Sequence, residues 1–256
     1  MPRWRLLFSD PASGPENMAL DEALMTRACA TGEWVFRVYS WSAPTLSFGR
    51  HQAARVAYDP ALIAQARLAV VRRPTGGRTV LHDREVTYSV TAPIKDGGDL
   101  RESYQRINRL LVGGLRSLGV AVEIAETSRA PRPDFSPCFE TPSPGELTVD
   151  GRKLAGSAQW RERGALLQHG SILVDGDQAA VSSLLRQSTS LPPAPATLRA
   201  LIGCEPSVAA VAAALFDAVR QQEDSGATSL TPDAALLTLA ARRRQRYESD
   251  NWTWRR

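Results

Sequence analysis

The sequence predicts an α+β protein with a mixed, largely antiparallel sheet flanked by helices, and three observations carry that reading. Apolar residues alternate over several short segments, as strands require, while two longer segments repeat with helical spacing. The strand-like segments arrive in hairpins interrupted by helices, which argues against a doubly wound parallel sheet. A composition of 256 residues, 43% apolar and 23% charged, is enough to bury a core and excludes wholesale disorder.

The first helix is expected in ENMALDEALMTRACATG (16–32), where Leu20, Ala23, Leu24 and Ala28 share a face and Gly32 ends it. EWVFRVYSW (33–41) reads as a strand in which Trp34, Phe36 and Val38 alternate, and TLSFG (45–49) follows it. LAVVRR (68–73) and EVTYSVTAP (85–93) read as strands on either side of RRPTGGRTVLHD (72–83). SYQRINRLLVGGLRSLG (103–119) is an amphipathic helix, and VAVEIAE (120–126) a further strand. Five prolines in RAPRPDFSPCFETPSPGE (129–146) oppose regular structure. ELTVDGRKLAGSAQWRERGALLQHGSILVD (146–175) reads as a three-stranded meander that reverses at Asp150-Gly151 and again at ERG (162–164). From about residue 177 the chain is expected to be mostly helical, and residues 1–256 to form a single domain.

Net charge is +4 and the isoelectric point near 9.2, with basic residues scattered apart from Arg242, Arg243 and Arg244. No aromatic-rich basic stripe or DNA-binding motif is present, so no nucleic-acid partner is expected, whereas an acidic protein partner fits the charge. No apolar run has membrane-span length and MPRWRLLFSD lacks signal-peptide character, so a cytoplasmic protein without a membrane partner is expected. The three cysteines Cys29, Cys138 and Cys204 make no disulfide framework, and no metal-ligand spacing occurs. Cys29, near the end of an amphipathic helix, reads as core, and Cys204, between Leu201-Ile202 and a helix cap at Ser207, as a packed connector. Of the 31 cationic side chains only Lys95 and Lys153 are lysine. In a chain so biased to arginine, a retained lysine marks a task that guanidinium cannot perform.

Two constellations stand out. The Gly-Gly segment lies between strands and lacks the Lys-Ser/Thr pair and following helix of a phosphate-binding loop. It is either a plain hairpin or a place where Gly76 and Gly77 admit a ligand close to the backbone, with Arg72, Arg73, His82 and Asp83 holding the loop or its guest. In the meander, alternation puts Lys153, Ala155, Ser157 and Gln159 on one face and Arg152, Leu154, Gly156 and Ala158 on the other. In the next strand His169 and Ser171 share a face, and Gly170 permits close approach. Lys153 beside a turn is either a solvated surface residue or a compact, tunable amine.

RRPTGGRTVLHDREVTYSV (72–90) and GRKLAGSAQWRERGALLQHGSILVD (151–175) resemble the lipoate-protein ligase, octanoyltransferase and biotin ligase superfamily, as do NMALDEALM (17–25) and YESDNWTWRR (247–256). The resemblance implies a single catalytic domain whose Gly-Gly segment and lysine strand line a tunnel for a medium-length acyl chain. The ATP-dependent ligases carry three consecutive glycines where this chain has Gly76, Gly77 and Arg78, and commonly an extra C-terminal domain. SPCFETPSPGEL (136–147) and LQHGSIL (167–173) resemble the octanoyltransferase branch, whose catalytic cysteine precedes a phenylalanine, as Cys138 does here. The resemblance therefore implies that Cys138 and Lys153 are catalytic, that Arg73, Gly76, Gly77, His82, Ser157, Gln159, His169 and Gly170 bind substrate, and that neither cofactor nor metal is used. It also implies an octanoyl-acyl carrier protein as donor and a lipoyl-domain lysine as acceptor, with an ATP-dependent lipoate ligase as the alternative.

Overall fold

In the computed structural model, residues 2–94, 100–125, 145–176, 178–187 and 194–255 are described. The chain begins with β1 (Trp4–Phe8) and α1 (Gly14–Thr31). The Ser13 hydroxyl accepts from the Glu16 backbone while Glu16 accepts from the Ser13 N–H, a capping box that starts α1 slightly earlier than its apolar spacing indicates. Next come β2 (Trp34–Tyr39), β3 (Thr45–Phe48), the short helices α2 (Ala54–Ala57) and α3 (Pro60–Gln65), β4 (Ala69–Arg72), β5 (Val80–His82) and β6 (Glu85–Pro93). α4 (Leu100–Ser117) and β7 (Glu123–Ile124) precede the meander β8 (Leu147–Val149), β9 (Arg152–Glu162) and β10 (Ala165–Leu173). A 3-10 turn (Gln178–Leu184), α5 (Leu198–Ile202), α6 (Val208–Gln222), β11 (Thr228–Ser229), α7 (Ala234–Glu248) and α8 (Asp250–Thr253) complete the order.

The main sheet runs β11-β1-β2-β6-β10-β9-β8-β7. Only the β11–β1 and β1–β2 pairs are parallel, so the sheet is mixed and largely antiparallel, as expected. One face carries Trp4, Leu6, Phe36, Val38, Val86 and Val90 against Leu111, Leu115, Leu215 and Val219 of α4 and α6. The other face packs Leu7 and Val35 against Ala23 and Leu24 of α1 and Leu236 of α7. β6 alternates and yet is buried on both sides: Val86, Tyr88, Val90 and Ala92 join the apolar core, while Glu85, Thr87, Ser89 and Thr91 are buried polar residues of the opposite face.

Three sequence expectations change. Of the strand expected over 120–126, residues 120–125 are described and contain only the two-residue β7, at the sheet edge. The mostly helical C-terminal part contributes β11, which extends the opposite edge beside β1. The Gly-Gly segment is not a hairpin: β4 and β5 pair on opposite sides of β3, one parallel and one antiparallel, in a separate sheet ordered β4-β3-β5. Residues 73–79 therefore cross over the end of β3, which leaves their backbone groups outside any ladder.

Candidate functional site

The crossover is held through its carbonyls. Arg73 is buried and donates to Ser47 O at 2.8 Å, to Gly76 O at 2.8 and 3.2 Å, and to Arg78 O at 2.6 Å. The Arg50 N–H donates to Thr75 O at 2.7 Å. Gly77 has φ +91, and a Cβ on Gly49 would lie 1.9 Å from Gly77 O, so the two backbones touch. With these carbonyls turned inward, the N–H groups of Gly76 and Gly77 meet no acceptor among the described residues. Two free amides at a glycine turn form a nest suited to an oxyanion or a polarised carbonyl.

Beneath the crossover lies a buried polar cluster on the α1 face of the sheet. His169 Nε2 is 2.6 Å from Thr75 Oγ1, and its Nδ1 is 3.4 Å from Asp21 Oδ2 on α1. Asp21 also pairs with Arg37 at 2.8 Å and accepts from Ser89 and Tyr39 at 2.7 and 2.9 Å. Burial alone would raise the Asp21 carboxyl, but Arg37, His169 and Ser89 together hold it below its ordinary 3.8. Burial holds the His169 imidazole below 6.5 against the pull of Asp21. The ring is therefore neutral at pH 7, with its proton on Nδ1 toward Asp21 and Nε2 accepting from the Thr75 hydroxyl. Nearby, His82 stacks on Trp41 with ring centroids 4.0 Å apart, and its Nε2 is 2.8 Å from Ser47 Oγ. Its Nδ1 faces Glu85 at 3.4 Å without a hydrogen bond, while Glu85 accepts from Thr87 and Ser171.

The predicted residues divide between the two sheet faces. Arg73, Gly76, Gly77, His82 and His169 gather around the crossover on the α1 side. Ser157 and Gln159 oppose Gly170 and Gln168 across β9–β10, on the α4 side. There Tyr88 hydroxyl is 2.6 Å from Ser157 Oγ and accepts from Gln168 at 2.9 Å, and the Gln159 amide is 3.0 Å from Gln168 Oε1. Gly170 has a packing reason as well, since a Cβ there would sit 2.4 Å from Gly156 O and 2.7 Å from the Tyr88 ring. Lys153 is not a solvated surface residue: it is 2% exposed, and its Nζ donates to Glu146 Oε1 at 2.6 Å.

Other assignments need correction. Arg72 holds the crossover's neighbours and not a guest: its guanidinium donates to carbonyls of Gly49, Arg50, Gln52, Trp252, Thr253 and Arg255, and burial, with Arg255 and Arg73 close by, pushes it down to about 10. Asp83 is exposed. Cys29 and Cys204 are both exposed, so neither is the packed residue the sequence implied, although Ser207 does cap α6. Cys138 and Lys95 lie outside the described residues. Asp21, Thr75, Tyr88 and Glu146 escaped the sequence reading. For Asp21 and Arg37 a signal existed: Asp21 lies beside the apolar face of α1, and Arg37 sits between Val35 and Tyr39 on the second apolar face of β2. Among the described residues no group of acidic, histidine or cysteine side chains is arranged to hold a metal ion, and no helix is long and apolar enough to cross a membrane.

The chain thus combines an antiparallel-rich sheet, a crossover with a glycine nest and a buried lysine on the adjoining meander. Residues 13–220 match the family described as lipoyl protein ligase A/B catalytic domain, and the chain belongs to that family. It is 45% identical over 196 residues to octanoyltransferase LipM of Kyrpidia tusciae, covering 73% of this chain and 71% of the relative. It is 47% identical over 182 residues to octanoyltransferase LipM of Carboxydothermus hydrogenoformans, covering 69% and 67%. In fold it is similar to lipoate-protein ligase A bound with ATP, with a TM-score of 0.82 at 22% identity over 99% of both chains. A bi-partite lipoate protein ligase from Thermoplasma acidophilum superposes with a TM-score of 0.81 at 21% identity, over 99% of this chain and 97% of that one.

Proposed function

We propose that this chain transfers an octanoyl group from octanoyl-acyl carrier protein to the lysine of a lipoyl domain, through a thioester on Cys138. The observation that carries the octanoyl-transfer reading is identity of 39–47% to relatives named octanoyltransferase LipM over about two thirds to three quarters of the chain. The donor is already a thioester, so no activating nucleotide is required. Cys138 thiolate attacks the octanoyl carbonyl, and the carrier thiolate leaves as the acyl-enzyme forms. Lys153, as ammonium, protonates that leaving thiolate and becomes an amine. It then takes the proton lost by the incoming lysine amine as the amide forms and Cys138 thiolate is released. The Gly76 and Gly77 amides stabilise the oxyanion in both halves. Arg73 and His82 hold that nest and His169 supports it from β10, while Ser157, Gln159 and Gly170 are the remaining substrate-binding candidates, on the α4 side. Residues 1–256 act as one catalytic unit in this scheme. Acidic protein partners are supported by the guanidinium groups of Arg50 and Arg255 beside the crossover, which face no carboxylate among the described residues.

Intact-mass measurement after incubation with octanoyl-acyl carrier protein tests the scheme. One octanoyl addition should appear without ATP, disappear with hydroxylamine, and be absent from Cys138→Ser while persisting in Cys29→Ser and Cys204→Ser. An adduct that requires ATP and Mg²⁺ would identify a lipoate ligase, the reaction class of the fold's structural relatives. Mapping of the octanoyl group to Cys204 would move the nucleophile but keep the transferase.

A further inference from the structure

We infer that Asp21, His169 and Thr75 form a positioning relay that sets the aim of the Gly76 and Gly77 amides, and that its product is transition-state stabilisation and not substrate affinity. The inference rests on the transfer reaction proposed above and assigns roles to Asp21 and Thr75 within it.

The argument starts from what holds the crossover. Arg73 fixes the carbonyls of Gly76 and Arg78, and the Arg50 N–H fixes that of Thr75, so these contacts act on the carbonyl side of the turn. A side-chain anchor next to the two glycines is Thr75 Oγ1, bound to His169 Nε2 at 2.6 Å on the centre of the sheet. A rotatable hydroxyl fixes a backbone only if its partner is itself fixed. His169 is fixed twice, by strand β10 and by Asp21 at Nδ1. Asp21 in turn is buried within bonds from Arg37, Ser89 and Tyr39, so its carboxylate has no second orientation available. With the Nδ1 proton held toward an anion, Nε2 is committed as an acceptor and Thr75 as a donor, so the chain has one polarity. It ends one residue short of the two free amides. A group that acts on an oxyanion must be placed for the charge that develops in the transition state, so displacing it lowers turnover while leaving ground-state binding nearly unchanged.

Thr75→Val removes the hydroxyl and keeps the branched shape, Thr75→Ser keeps the hydroxyl, and His169→Gln interrupts the relay upstream. With octanoyl-carrier donor, Thr75→Val and His169→Gln should each lower kcat on the order of tenfold or more with KM changed less than about threefold, since loss of a whole oxyanion donor costs about 100- to 1000-fold. Thr75→Ser should recover most of the loss. The Gly76 and Gly77 amide resonances in ¹⁵N-labelled protein should shift in Thr75→Val and return in Thr75→Ser, while thermal midpoints verify that each variant is folded. Wild-type kcat in folded Thr75→Val, a loss confined to KM, or no rescue by serine would overturn the relay. Should the wild-type protein fail to transfer octanoyl without ATP, the transfer reading falls; the relay is then decided by the amide resonances, and unmoved resonances in Thr75→Val refute it.

Discussion

Lys153 concentrates the strongest single-residue expectation. Its Nζ is buried against Glu146, so replacement by arginine keeps the charge but adds bulk and a cation that does not give up its proton. Lys153→Arg should lose on the order of 100-fold or more in octanoyl transfer, because a positioned acid–base group contributes about that much. Near-normal turnover in a steady-state assay of the arginine variant would show that only charge matters there. Gly77 is a less clean probe than its sequence indicates. At φ +91, and with a Cβ 2.9 Å from Arg73 Nη2, Gly77→Val carries backbone strain of about 1–3 kcal/mol and should lower the melting temperature along with activity. Gly76 is the better test, since a Cβ there meets nothing within 4 Å. Gly76→Ala should keep the wild-type melting temperature while weakening turnover by intruding on the acyl group, and calorimetry beside kinetics separates the two effects.

At the scale of elements, the C-terminal segment is tied to the end of β4 and to the loop after β3, with Arg72 at the centre. Arg72, at the end of β4, donates to carbonyls of residues 49–52 and of residues 252–255, and Trp252 Nε1 donates back to Arg72 O at 2.8 Å. Arg72→Met would strand several buried carbonyls at once, for an expected loss of about 3 kcal/mol or more in urea denaturation. A smaller loss, below about 1 kcal/mol, would show that water replaces the guanidinium without strain. This junction also shows where sequence reading stops. Helices α1 and α4, strand β6 and the β8–β10 meander were legible because each repeats a period over many residues or carries a turn signal such as Asp150-Gly151. β5, β7 and β11 have three residues or fewer, too few to show a period. The crossover was misread as a possible hairpin because β4 and β5 each pair with β3, a partnership between distant segments that local spacing does not encode. Lys153 was legible from composition, whereas its partner Glu146 and the Asp21–His169 contact are products of the fold.

Across the whole molecule, the sheet separates two kinds of polar group: a crossover clamped over a buried histidine relay on the α1 face, and the Ser157–Tyr88–Gln168 hydroxyl and amide chain on the α4 face. The relay stores a pH dependence that global stability should report. His169 is held below its ordinary 6.5 by burial, with Arg73 and His82 adding to that depression and Asp21 opposing it. Between the folded value and 6.5 the unfolded chain therefore binds a proton that the folded chain refuses. Stability contributed by the neutral ring is complete above pH 6.5 and is lost as pH falls below it, with a slope of at most about 1.4 kcal/mol per pH unit for one proton. Asp21, depressed below 3.8, acts in the same direction in a lower window, losing its contribution as pH falls through that range. Replacing the imidazole by an amide removes the first window and weakens the second, since His169 is one of the groups that lower Asp21. Urea denaturation of the wild-type protein between pH 7.5 and 4.5 should show a decline that His169→Gln flattens below about pH 6.5, with the two curves running parallel above pH 7. Curves that remain parallel over the entire range would mean that His169 titrates alike in the folded and unfolded chains, and that the buried relay does not keep its histidine neutral.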